Sequence, residues 1–339
     1  MNKRNKILEV KDLQTTFFTD SGDIPAVDHV DFHIREGEVL GIVGESGCGK
    51  SVTSLSVMGL VPKPPGEIVG GEILYKKNNL LDMSERQMRK IRGNDIAMIF
   101  QEPMTSLNPL FTIGDQMMET MIIHHKDWPK KRIHQKAVDM LKLVGLPRSE
   151  EMMKEYPHQL SGGMRQRVMI AMALVCDPQV LIADEPTTAL DVTTQAQILK
   201  LMRELNTKLN TAIMLITHDL GVVAETCERV VVMYAGQVIE EAPVKKLFDH
   251  PEHPYTQGLI QSVPDIRNKA DRLHSIAGNV PRPGSVKQGC KFAARCEFAF
   301  DRCFKEDPPL YQTSNQQKTR CFLYDKEGVH QSDESTVRS

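Results

Sequence analysis

No stretch of about 18 uninterrupted apolar residues occurs in the 339-residue chain, so no membrane-spanning helix is expected. An excess of one charge is lacking too. Lys and Arg number 42 against 44 Asp and Glu, a net charge of -2 that offers no general attraction for nucleic acid. The basic opening Met1 to Lys6 runs into Ile7-Leu8-Glu9-Val10-Lys11, which has no apolar signal-peptide core. The chain is therefore expected in the cytosol, reaching a membrane only through partners. Coiled-coil heptads are missing, and the seven cysteines include no close Cys-x2-Cys pair of the kind common at structural zinc sites. A composition of 40% hydrophobic and 25% charged residues describes an ordinary globular protein, long enough for one large domain and a modest appendage.

Phosphate-binding chemistry is what the chain does have. Gly44-Glu45-Ser46-Gly47-Cys48-Gly49-Lys50-Ser51 fits GxxxxGKS. The apolar stretch Val39 to Val43 reads as a buried strand entering this loop. The mostly small or apolar run from Ser51 through Val52 to Leu60 suits a helix leaving it. Small residues let backbone N–H groups turn inward around phosphate oxygens, and the helix N-terminus adds its dipole. Lys50 is placed to reach the β- and γ-phosphates, and the Ser51 hydroxyl to ligate Mg2+.

Downstream, Val180-Leu181-Ile182-Ala183 ends in Asp184-Glu185, at the position where parallel strands deliver residues to a ligand crevice. Asp184 is expected to hold Mg2+, directly or through water, and Glu185 to act as general base on the attacking water. Leu160-Ser161-Gly162-Gly163 supplies a second anion-binding helix start, with Ser161 as N-cap of a helix running through Arg165 to Leu174. One nucleotide's phosphates cannot easily occupy both ends of one subunit, which points to a composite site across a dimer.

With these motifs in this order, residues 5–262 resemble the ATP-binding cassette family. The resemblance extends to Gln101 in Ile99-Phe100-Gln101-Glu102-Pro103, Asp191 in Thr188-Ala189-Leu190-Asp191, and His218 in Ile216-Thr217-His218-Asp219. It implies that Gln101 senses Mg2+ and the γ-phosphate, that Asp191 lies in a loop communicating across the dimer, and that His218 contacts the γ-phosphate and positions the water. Phe17 is similar to the aromatic that stacks on adenine, with Phe18 as the alternative because neighbouring strand residues face opposite ways. Met164 departs from the glutamine usual at that place, but the amides and Ser161 remain. The implied fold is α/β: a P-loop NTPase nucleotide-binding domain with a RecA-like core, an antiparallel β subdomain and a helical subdomain. The domain spans 1–262, its helical part about 102–175.

Within that helical part, Met104 to Pro109 reads as a loop, with helical patterns over Ile113 to Ile123 and Ile133 to Val144. The family resemblance implies a groove here for a cytoplasmic helix of a transmembrane subunit. The methionines suit either such a contact or plain core.

His250-Pro251-Glu252-His253-Pro254-Tyr255-Thr256 resembles a segment of oligopeptide, dipeptide and nickel importer ATPases, and reads as a turn rather than a metal site. Pro264 and the run Gly278 to Gly284 mark a linker into a small C-terminal extension, 263–325, followed by a polar tail, 326–339, expected to be disordered. The extension holds Cys290, Cys296, Cys303 and Cys321. A disulfide framework does not suit a cytosolic ATPase. Four thiolates suit an iron–sulfur cluster, and the resemblance favours a 4Fe–4S cluster over zinc or four unligated thiols. Cys176 and Cys227 read as buried small residues. Cys48, in an electropositive loop at a helix start, is expected to have a lowered thiol pKa, so that alkylation inhibits and ATP protects.

The resemblance therefore implies an ATP-hydrolysing importer motor working with ATP and Mg2+. Its expected partners are a second related ATPase in a heterodimer, two transmembrane permease subunits and an extracytoplasmic peptide-binding protein, at the cytoplasmic face of the cell membrane. Oligopeptides or dipeptides are the favoured cargo, with nickel or another small solute as the alternative. A nucleic-acid-associated ATPase of the same cassette type is disfavoured by the single phosphate loop and the near-neutral charge.

Overall fold

The computed structural model describes residues 4–101, 107–188, 190–262, 276–314 and 316–325. The expectations for most of the 104–109 loop, the linker at Pro264 and the tail 326–339 lie outside the described residues.

Two sheets organise the chain. The smaller is antiparallel, built from β1 (Lys6–Thr19), β2 (Gly22–Arg35), β4 (Gly66–Tyr75) and β5 (Asn78–Asn79) in the order β2-β1-β4-β5. The larger contains β3 (Val39–Val43), β6 (Ile96–Ile99), β7 (Val180–Asp184), β8 (Ala212–Thr217), β9 (Arg229–Tyr234), β10 (Gln237–Pro243), β11 (Tyr311–Ser314) and β12 (Gln317–Thr319). Its order is β11-β12-β10-β9-β3-β8-β7-β6. Strands β9, β3, β8, β7 and β6 run parallel, and β10, β12 and β11 continue the sheet antiparallel.

Burial explains the sequence pattern. Every residue of β3, β7, β8 and β9 is buried, as expected for parallel strands covered on both faces, and each reads as a continuous apolar run rather than an alternation. Strand order then does the positioning. The loops leaving β3, β8, β7 and β6 emerge side by side at one edge, carrying in turn the phosphate loop, His218, Asp184-Glu185 and Gln101.

Helices Ile113–His124, Lys130–Leu143 and Gly162–Leu174 form the helical part. Thr112 caps the first by accepting from the Asp115 N–H while the Asp115 carboxylate accepts from the Thr112 N–H. Met117 and Met121 are fully buried among Ile133, Val138, Leu141 and Ile170, so these methionines are core and not groove contacts. Exposed apolar side chains in this part are Leu110, Phe111, Ile122 and Ile123. No described helix is long and apolar enough to cross a membrane.

The C-terminal extension is stitched to the main sheet. Strand β12 pairs with β10 in the register Glu240↔Thr319 and Glu241↔Lys318, and the β11–β12 hairpin adds two strands to that edge. His253 caps the helix Pro254–Gln261 by accepting from the Tyr255 N–H at 3.1 Å, so the His-Pro segment is a helix start.

Candidate active site

The loop after β3 has a backbone that only glycine allows. Gly44 and Gly49 have φ of 155° and 97°. A Cβ on Gly44 would meet the Met233 carbonyl, and one on Gly49 the Ala26 carbonyl. Gly49 precedes helix α1 (Lys50–Met58), so the loop's backbone and the helix start share one place. The Lys50 ammonium is buried and donates to the Gly44 carbonyl at 2.7 Å and the Glu45 carbonyl at 3.0 Å. Val52 packs on the core beneath the loop.

The acidic pair divides its work by environment. Asp184 is buried at the end of β7, where its carboxylate accepts from the Ser51 hydroxyl at 3.2 Å. Burial raises its pKa, and the Ser51 bond only partly offsets that. Two hard oxygen donors this close, in a place that penalises uncompensated negative charge, fit Mg2+.

Glu185 is held by three side chains. The Gln101 amide donates to it at 3.2 Å and the Thr188 hydroxyl at 3.0 Å, while His218 Nδ1 lies 3.1 Å away. Burial acts to raise its pKa, but the hydrogen bonds from His218 and Thr188 and nearby positive charge outweigh it, leaving the carboxyl below its ordinary range. Glu185 also has φ of 46°, a left-handed conformation costing a residue with a Cβ about 1 kcal/mol. Thr188 was not anticipated from sequence; its spacing of three residues from Glu185 was the available signal.

A second site lies apart from the first. Ser161 caps the helix Gly162–Leu174, with its hydroxyl 3.4 Å from the Met164 N–H. Asp191 caps the helix Val192–Leu209, accepting from the Thr194 N–H at 3.0 Å. Ser161, Gly162, Gly163, Leu190 and Asp191 line one open concavity of about 450 Å³, with no phosphate-loop residue in its wall. Phe17 is half-buried with its ring over Gly66, while Phe18 is the more exposed of the two.

Cys48 corrects an expectation. Its thiol is fully buried, and burial pushes the pKa up despite the Lys50 ammonium 3.7 Å away, so it is not an activated thiolate. Cys176 and Cys227 are part-buried rather than enclosed.

The four late cysteines are free thiols lining a single small cavity with Phe292, Phe300 and Phe322. Burial raises the pKa of Cys290 to about 11 and of Cys321 to about 12. The expected ligand set is not assembled, however. Among the described residues no group of three or more His, Cys, Asp or Glu side chains stands where it could hold a metal ion. The thiols gather in one place without converging on a point.

A phosphate loop joined to an acidic pair at a strand end, with a second glycine-rich helix start set apart from both, defines an ATP-binding cassette. Residues 27–188 match the family described as ABC transporter, and 239–303 the one described as oligopeptide/dipeptide transporter, C-terminal region. The oligopeptide transport ATP-binding protein AppD of Bacillus subtilis (strain 168) is 56% identical, over 96% of this chain and 99% of its own. The dipeptide transport ATP-binding protein DppD of the same strain is 49% identical, over 96% and 97%. A dimeric post-hydrolysis structure of the ATP-binding cassette MJ0796 bound to ADP and Pi is similar at a TM-score of 0.62 and 29% identity, over 70% of this chain and 98% of that one. The chain belongs to the ATP-binding subunits of the oligopeptide/dipeptide group of ABC transporters, and it is an ATPase using ATP and Mg2+.

Proposed function

We propose that the chain is the motor subunit of an importer for oligopeptides or dipeptides, acting peripherally at the cytoplasmic face of the cell membrane. The near-full-length identity to peptide-transport ATP-binding proteins carries this reading. ATP sits with its phosphates in the Gly44–Ser51 loop, Lys50 moves onto the β- and γ-phosphates, and Phe17 stacks on the base. Ser51, Asp184 and Gln101 would hold Mg2+, which would supply charge neutralisation at the phosphoryl oxygens. Glu185 accepts a proton from the water as its oxygen bonds the γ-phosphorus and the bond to ADP breaks. His218 orients the water and steadies Glu185.

The Ser161–Gly163 helix start and Asp191 act on the partner subunit's nucleotide. Support comes from the open concavity lined by Ser161, Gly162, Gly163 and Asp191, whose wall includes no residue of this subunit's phosphate loop. The partner is a second, related ATPase, and the pair works beside two permease subunits and an extracytoplasmic binding protein.

Deleting the gene should abolish growth on short peptides as the sole source of a required amino acid while growth on the free amino acid persists. Unimpaired peptide growth, or loss of nickel uptake instead, would overturn the cargo.

The four late cysteines hold a 4Fe–4S cluster in this reading. Support is chemical: four thiols and no hard oxygen donor on one cavity flanked by aromatic rings. A single zinc ion needs its four sulfurs within about 2.3 Å of one point, a tighter convergence than a cluster requires. Brown, iron-containing protein on anaerobic purification is expected; colourless protein loaded with zinc would exclude the cluster.

A further inference from the structure

The cysteine cavity and the phosphate loop are joined by one side chain. Ala293–Arg295 forms a single 3-10 turn between Cys290 and Cys296. The turn is pinned at both ends, the Ala293 N–H donating to the Cys290 carbonyl and the Cys296 N–H to the Ala293 carbonyl. Phe292, Ala293 and both cysteines face the cavity. Arg295 points the other way. Its guanidinium donates to both Glu45 carboxylate oxygens, at 2.8 and 3.3 Å, and is fixed from behind by the Ala277 carbonyl at 2.9 Å and the Tyr234 hydroxyl at 3.3 Å. Only 5% of the Arg295 side chain is exposed.

Glu45 is the second residue of the phosphate loop and is held at three points. Its carboxylate takes Arg295, its N–H donates to the Tyr255 hydroxyl at 2.9 Å, and its carbonyl receives the Lys50 ammonium at 3.0 Å. Tyr255 and Arg295 both come from the chain beyond β10, far from the loop in sequence. A planar bidentate fork fixes a carboxylate in direction as well as distance, which a lone lysine does not. Removing it would leave Glu45 beside a buried hydroxyl and free the loop's entrance to rotate.

We propose that Arg295 is a positioning residue for ATP binding, holding the phosphate loop in its binding conformation through Glu45. The inference rests on the Arg295–Glu45 fork alone and needs no group bound in the cysteine cavity.

The test is titration of the full-length chain with Mg-ATP, with steady-state KM and kcat measured in the assembled transporter. Arg295→Ala should raise the Kd and KM for ATP roughly 5- to 150-fold, the usual range of coupling between sites, with kcat falling far less. Arg295→Lys, which keeps charge and stem, should fold normally and show a smaller shift in the same direction. Adding Glu45→Gln to Arg295→Ala should weaken binding little further, because the two act as one unit. Wild-type affinity in Arg295→Ala, or effects of the two changes that multiply, would overturn the positioning role.

Discussion

Glu185 has a backbone that a residue with a Cβ avoids and a side chain held by Gln101, Thr188 and His218. Those bonds favour the ionised carboxylate, the state that the proposed general base needs. Glu185→Gln keeps an acceptor oxygen but cannot take the proton. ATP hydrolysis should fall by about 100-fold or more while ATP binding is retained, measured by phosphate release and nucleotide titration. Loss of ATP binding instead would make Glu185 a ligand-holding residue. The fall in pKa has a signed consequence: Glu185 stays ionised below the usual carboxylate range, so the acid limb of kcat should not begin near neutral pH. Cys48 teaches the opposite lesson. Its sequence neighbours promise an activated thiol, but complete burial outweighs the lysine charge. Burial is a property of the packed loop and is not written in eight residues.

At the scale of elements, the helix Gly162–Leu174 presents its N-terminus with room to spare. Gly162→Ala meets no neighbouring atom and replaces glycine in a helix, where alanine is better by roughly 0.5–1 kcal/mol. Thermal stability of the chain should hold or rise, ATP binding by the isolated chain should not change, and ATPase activity of the assembled transporter should drop. Undiminished transporter activity would mean that this helix start does not face a nucleotide. Element types were legible wherever pattern and burial agree: the apolar runs of β3, β7 and β8, the capped helix after Ser161, and the helices either side of residue 125. The β11–β12 hairpin was not legible. Four- and three-residue strands carry little periodicity, and their pairing with β10 is a long-range contact.

For the whole molecule, the C-terminal extension is paired into the main sheet and touches the phosphate loop through Arg295. Buried histidines tie it to pH. His253, enclosed where the extension meets β10, has its pKa lowered to about 3 by burial; His33, on β2, has its own lowered to about 4 by burial and by Arg229. Both are neutral when folded, whereas the unfolded chain takes up their protons below about pH 6.5. Their contribution is complete above that pH and is lost as pH falls. His253 alone should cost about 2 kcal/mol on going from pH 6.5 to 5. His253→Asn keeps a cap acceptor for the Tyr255 N–H. Its Tm should therefore fall less between pH 7.5 and 5 than that of the native chain, by scanning calorimetry. An identical slope would remove His253 from the acid response.

Sequence alone determined the chemistry of each local motif: the phosphate loop, the acidic pair at a strand end, the second glycine-rich helix start. Each of these works through backbone and side chains within a few residues, so spacing is enough. Tertiary structure decided what lies next to what. The strand order β3-β8-β7-β6 brought Ser51, His218, Asp184, Glu185 and Gln101 to one edge, buried Cys48 out of reach, and set Ser161 with Asp191 in a concavity of its own. It also delivered Arg295 to Glu45 across 250 residues of chain. Such contacts depend on which surfaces pack together, and the pattern of residues along one segment does not encode its neighbour.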